Sequence, residues 1–169
     1  YELQVKYLQL ERDLSGCLGD QLRQLLAVDN VMAHAAGWPL TGTFLQTGGT
    51  NTITGGQDWP ALAISVAPSS RGHYELTGGT LAASGSVIVG SPGAGSLFQF
   101  GGSMTVEGAQ SSSLVLGDGG SGNMVQTGGT NTVAGDLVLG NRETSAVGTY
   151  DLGGTAELSA GREIIGWHG

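Results

Sequence analysis

Cysteine is almost missing from this chain. The single Cys17 cannot close an internal disulfide. It reads as a small buried apolar residue, with a reactive thiol or an intersubunit bridge as the alternative. Cationic side chains are scarce: 6 Lys+Arg stand against 14 Asp+Glu, a net charge of −8. The deficit holds on both sides of residue 43, with 3 basic and 5 acidic residues before it and 3 and 9 after it. No part is therefore basic enough to bind nucleic acid or an anionic membrane. No run approaches the ~20 apolar residues that a membrane-spanning helix needs. No basic and apolar leader opens the chain, which starts on Tyr1, so a processed or excised piece is expected. Charged residues are 12% and aromatics 6% of the sequence, where ordinary domains carry about 25% charge. A chain this poor in cysteine and lysine suits life outside a cell.

What the sequence has instead is glycine, 32 of 169 residues. Collagen is excluded because the glycines follow no G-X-Y period. Disorder is opposed by compact apolar runs such as Ser86-Val87-Ile88-Val89 and Ser113-Leu114-Val115-Leu116. One phrase recurs: FLQTGGTNTITGG at 44–56 returns as MVQTGGTNTVAGD at 124–136.

Residues 1–40 follow a different grammar. Leu3, Tyr7, Leu10, Leu14, Cys17/Leu18, Leu22, Leu25 and Val28 step by three or four, the stripe of an amphipathic helix. Gly16 and Gly19 predict a break in it. Leu3, Val5 and Tyr7 also alternate as a strand would. Gly37-Trp38-Pro39 closes the segment. It is expected to serve as a cap or assembly arm.

From residue 41 to 169 the text is a repeat. Glycine doublets stand at Gly48-Gly49, Gly78-Gly79, Gly101-Gly102, Gly128-Gly129 and Gly153-Gly154, spaced by 30, 23, 27 and 25 residues. A short strand precedes each doublet and a second follows it. The fourth residue past the doublet is Ile53, Ala83, Val106, Val133 or Leu158, always apolar. A third strand comes next, ending in the last four units on Gly90, Gly117, Gly140 or Gly166. The pattern predicts an all-β fold: a parallel β-solenoid (β-helix) of right-handed type, with about five three-strand rungs. Glycine turns each corner. Stacked rungs place equivalent residues in columns, and at ~4.8 Å per strand five rungs span about 24 Å.

The alternation of F/M-x-Q-T-G-G-T-N-T-V-x-G-x-L-x-L-G with Y-x-L-x-G-G-T-L resembles the low-complexity repeats of bacterial surface and exported proteins. These include autotransporter passenger regions and proteins with PEP-CTERM sorting tails. The resemblance covers roughly residues 42–169 and implies an extracellular or cell-surface location.

Candidate sites are few. The insertion Gln57-Asp58-Trp59-Pro60-Ala61 lengthens one corner, and repeat proteins often bind through such loops. Trp59 is thus a contact candidate, against a plainly packed loop. Gly117-Asp118-Gly119-Gly120-Ser121-Gly122-Asn123 has the flavour of a calcium turn but stands alone, where calcium needs oxygens from successive turns. Thr50-Asn51-Thr52 and Thr130-Asn131-Thr132 put hydroxyls on one strand face, yet the other rungs break the array that ice binding would need. Gln46, Gln99 and Gln126 predict an amide ladder. His34, His73 and His168 have no metal-ligand spacing. Arg71, Arg142 and Arg162 sit at turns of different units. No catalytic residue, metal site or cofactor is expected, and an enzyme acting on polysaccharide is the remotest reading.

Ile164-Ile165-Gly166-Trp167-His168-Gly169 follows a third strand with no polar cap after it. An open rung is a template for another chain, and a head-to-tail contact that does not close makes a filament. The expected partner is therefore the protein itself, through Trp167, the rung edges and the Leu-rich stripe. The function expected is that of a structural subunit of an extracellular bacterial fibre or surface layer. The alternative is an adhesin rod that binds glycans or another cell surface.

Overall fold

The computed structural model describes residues 40–55, 59–108 and 112–167. The expected helical segment, with Leu3, Tyr7, Leu10, Leu14, Leu18, Leu22, Leu25 and Cys17, lies outside the described residues, as do His34 and His168.

The described residues form a parallel β-solenoid of five turns, with no helix among them. The first rung is β1 (Thr41–Gln46), β2 (Thr50–Thr54) and β3 (Leu62–Ile64). The second is β4 (Arg71–Leu76), β5 (Thr80–Ser84) and β6 (Val87–Val89). The third is β7 (Ala94–Gln99), β8 (Ser103–Glu107) and β9 (Leu114–Asp118). In the fourth, β10 (Ser121–Gln126) is followed by β11 (Thr130–Asn141), which runs through the second and third positions with an irregularity between Val133 and Asp136. The fifth repeats that plan with β12 (Val147–Leu152) and β13 (Glu157–Trp167). The first sheet has the order β1-β4-β7-β10-β12. The second and third strands of each rung stack on their equivalents, all in parallel.

Because side chains alternate along a strand, in-register stacking turns each inward position into a column. Leu62, Val87, Leu114 and Leu137 form one; Ile64, Val89, Leu116 and Leu139 form another. Ile53, Ala83, Val106 and Val133 line the second sheet. These residues make up most of the core. The continuous apolar runs of the third strands mark a sheet apolar on both faces. Val115 and Val138 point away from the core and are still buried, at 8% and 3% exposure.

Corner glycines act in two ways. The second glycine of every doublet has positive φ, from 62° at Gly154 to 84° at Gly79. That region costs an L side chain about 1–2 kcal/mol. Gly90, Gly117, Gly140 and Gly166 share it, and in the first rung Ser65 holds the same bend at φ 69°. Of the first-of-doublet glycines, Gly78, Gly101 and Gly128 answer to crowding: a Cβ on Gly128 would lie 2.5 Å from the Phe100 carbonyl oxygen in the rung before. Gly48 has nothing within 4 Å.

A further glycine set escaped the sequence reading. Gly42, Gly72, Gly95, Gly122 and Gly148 stack in one column. A Cβ on Gly122 would stand 2.2 Å from the Val89 carbonyl oxygen, and one on Gly148 2.2 Å from that of Leu116. The first sheet here meets the ends of the third strands backbone to backbone. The signal was available: these glycines lie six residues before each doublet, and five before the last.

That missing residue exposes a register shift in the last rung. Gln126 pairs with Leu152, and Asn131 with Leu158. Counting from the doublet instead sets Leu158 against Val133, whose true partner is Ala160. The shift brings Glu163 above Leu137, in a column otherwise made of Leu62, Val87, Leu114 and Leu137.

The recurring phrase encodes a buried polar network. In the first rung Gln46 and Asn51 point inward and are buried. The next rung supplies Tyr74, whose hydroxyl donates to Gln46 Oε1 at 2.6 Å and accepts from Asn51 Nδ2 at 3.1 Å. Phe44 stacks on its ring at 4.8 Å. The fourth and fifth rungs repeat this with Gln126, Asn131 and Tyr150 at 2.5 Å and 3.0 Å. The expected amide ladder is not what the glutamines form. Each Nε2 donates to the carbonyl of the second doublet glycine of its own rung and to the carbonyl that opens the second strand of the next. The latter bonds are Gln46 to Thr80 O at 2.9 Å, Gln99 to Thr130 O at 3.0 Å and Gln126 to Glu157 O at 3.1 Å. Gln99 has Met124 in place of a tyrosine in the following rung. Its Oε1 and Asn131 Oδ1 are buried with no hydrogen-bond partner among the described residues.

Candidate functional site

The outer face of the first sheet carries a trough of about 350 Å³. Two outward columns flank the glycine column: Thr41, Arg71, Ala94 and Ser121 on one side, Thr43, His73, Ser96 and Asn123 on the other. Ala94, Ser96 and Ser121 are small, and the glycines between them turn no side chain outward, so the floor is bare backbone. Arg71, His73 and Asn123 rise at its margins.

The polar groups are fixed by neighbours one rung away. Ser96 Oγ lies 2.9 Å from His73 Nδ1 and donates to the Gly72 carbonyl at 3.3 Å. His73 Nε2 lies 3.6 Å from Glu75 Oε2. The His73 ring meets Phe98 edge-on at 4.8 Å, and Phe98 meets Phe100 at 6.1 Å. Phe100 is 47% exposed. Hydroxyl, imidazole and carboxylate thus follow one another, but the strands carrying them are interior to the sheet. Their backbone N–H groups are engaged in strand pairing. The row is a set of oriented hydrogen-bonding groups.

Charge is distributed unevenly. Arg142 Nε is 3.1 Å from Asp118 Oδ1, and Arg162 binds both oxygens of Asp136, at 3.1 Å and 2.7 Å. That pair holds the Asp136 carboxyl below its ordinary range, through the hydrogen bond first. Arg71 is exposed and has no ion-pair partner among the described residues. In the sequence Arg142 and Arg162 stand beside Glu143 and Glu163 and read as solvated, which already set Arg71 apart. Their partners are instead Asp118 and Asp136, one rung away.

The remaining candidates fall elsewhere. Trp59 is 74% exposed, and Gln57 and Asp58 of the same insertion lie outside the described residues. Trp167 closes β13 opposite Asn141 and is half-exposed. Asp118 is buried, and both carboxylate oxygens are occupied: Ser91 Oγ donates to Oδ2 at 3.1 Å, Asn141 Nδ2 to Oδ1 at 2.9 Å, with Arg142 beside them. Its role is to tie three rungs together at a corner. The threonine array is interrupted where Thr52 stacks on Ala82, and again where Thr130 stacks on Glu157. Comparison with protein-family models, curated proteins and solved structures finds no match to this chain.

Proposed function

We propose that this chain is a structural subunit of an extracellular bacterial fibre or surface layer, built by stacking rung on rung between copies. A right-handed coil, the usual hand of parallel crossovers, is part of this reading. What supports it is the in-register parallel stacking of the rungs, which another rung of the same kind would extend. Among the described residues nothing pairs with the outer side of β1, β2 and β3, or with that of β12 and β13. Leu152 and Ile165, which continue core columns, are 48% and 78% exposed there. Stacking a second copy's first rung would set its Gln46 on Leu152, a junction that exists within the chain where Gln99 follows Leu76. The extracellular setting rests on composition and on the resemblance of the repeats.

Glu163 guards this edge. It follows outward-facing Arg162, so it faces inward above Leu137; burial raises the pKa of Tyr150 first, and the Glu163 charge adds a smaller push in the same direction. An inward charge on an edge strand is a known brake on edge-to-edge pairing. Glu163→Leu should therefore speed filament growth, followed by light scattering and electron microscopy. Strictly monomeric protein for both forms at high concentration would end the proposal. The exposure of Trp59 favours a second reading, a glycan- or surface-binding adhesin, which would give monodisperse particles that bind a glycan array.

A further inference from the structure

We propose that the trough on the first sheet binds an extended, carboxylate-bearing polysaccharide strand. Successive rungs offer equivalent positions at ~4.8 Å intervals along straight columns, so a matching ligand is long and extended. The trough crosses four rungs, from Thr41 to Ser121 and Asn123.

Its chemistry narrows the class. Arg71 presents a guanidinium that no carboxylate of the described residues occupies, in a chain of net charge −8. Such a group selects a carboxylate, with two parallel N–H···O bonds available to it. Ser121 offers a donor and an acceptor, and Asn123 its amide N–H groups beside an Oδ1 that accepts from Thr149. Ser96, whose hydrogen goes to the Gly72 carbonyl, can only accept. A polyol supplies both kinds of partner. Phe98, against His73, and the half-exposed Phe100 add an apolar surface beside the row. An acidic peptide is the weaker match. Across β4, β7 and β10 the floor consists of strands whose N–H and C=O groups are already engaged in the sheet, so a peptide lying along the trough finds no edge to extend there. Recognition has to pass through side chains, which favours a hydroxyl-rich ligand. The site begins on β1, the edge strand of the first sheet, but the groups that give it its chemistry, Arg71, Ser96, Ser121 and Asn123, stand on the interior strands β4, β7 and β10.

Calorimetric titration of the full chain tests this with three probes: a hexameric oligogalacturonate, a neutral cello-oligosaccharide of equal length, and poly-L-glutamate of matched charge. Oligogalacturonate should bind tightest, and its affinity should fall with added salt. Arg71→Gln should weaken it at least tenfold. Ser121→Phe, which fills the floor, should do the same, while Arg162→Gln leaves it unchanged. Melting curves for each variant separate loss of binding from loss of fold. Equal losses for Arg71→Gln and Arg162→Gln, or no preference over the neutral sugar, would overturn the site. Tighter binding of poly-L-glutamate would overturn the ligand class, and no binding of any probe would overturn both.

Discussion

Replacing Tyr74 by phenylalanine removes one oxygen from the space between the first two rungs and leaves two groups behind. Gln46 Oε1 loses its donor at 2.6 Å and Asn51 Nδ2 its acceptor at 3.1 Å, both on buried side chains. Each buried group left unpaired costs about 1–3 kcal/mol. The ring and its stacking on Phe44 remain. A loss of about 2–4 kcal/mol is expected, measured by urea unfolding. A second variant identifies the cause. Asn51→Leu introduces the residue that the same column carries at Leu81. Added to Tyr74→Phe, it removes the orphaned amide and leaves only Gln46 Oε1 unpaired, the condition Gln99 Oε1 already has. The double variant should thus recover part of the loss, a favourable coupling of about 1 kcal/mol or more. If Tyr74→Phe costs under about 0.5 kcal/mol, the range of an ordinary surface change, or if the two losses simply add, the network does not hold the rungs together as argued.

The same tyrosines predict an alkaline limit. Burial pushes Tyr74 and Tyr150 up to about 12, against about 10 in the unfolded chain. Stability from these groups is complete below pH 10 and is lost as pH rises from about 10 to about 12. For Tyr74 a rise from about 10 to about 12 amounts to roughly 3 kcal/mol; half-buried Tyr150 gives less. Melting temperature against pH, with Tyr74→Phe as control, reads this, and a flat profile through pH 11 contradicts it. The doublet glycines differ by rung. Gly128→Val meets the Phe100 carbonyl and should cost more than about 1 kcal/mol, whereas Gly48→Ala meets nothing within 4 Å and should be near neutral. Equal melting shifts for the two would count against the corner geometry.

The fold was legible because its punctuation is chemical. Glycine doublets mark left-handed corners, and apolar residues at a fixed offset from them mark columns. That rule fails where the offset changes. The last rung loses a residue before its doublet and gains two between the doublet and its second strand, so Leu158 was misplaced until pairing with β11 was seen. The recurrence of Gln and Asn was visible, but its purpose was not. The network is completed by Tyr74 and Tyr150, which lie 28 and 24 residues beyond Gln46 and Gln126, and single-rung patterns carry no sign of a partner in the next rung. The trough was invisible for a related reason. It is made by what is small, Ala94, Ser96 and Ser121, and small residues in a glycine-rich text look like more of the same.

The stacking order is tested most directly by distances within one outward column. Thr52, Ala82, Thr105 and Thr132 occupy equivalent places in four successive rungs. In a Cys17→Ala background, spin labels at position 52 paired in turn with labels at 82, 105 and 132 should report separations that grow in equal steps. Backbone spacings of about 5, 10 and 14 Å are expected, although up to 80 residues separate the pair in sequence. Separations that do not rise rung by rung, or that exceed these by tens of ångströms, would contradict the parallel stacked coil.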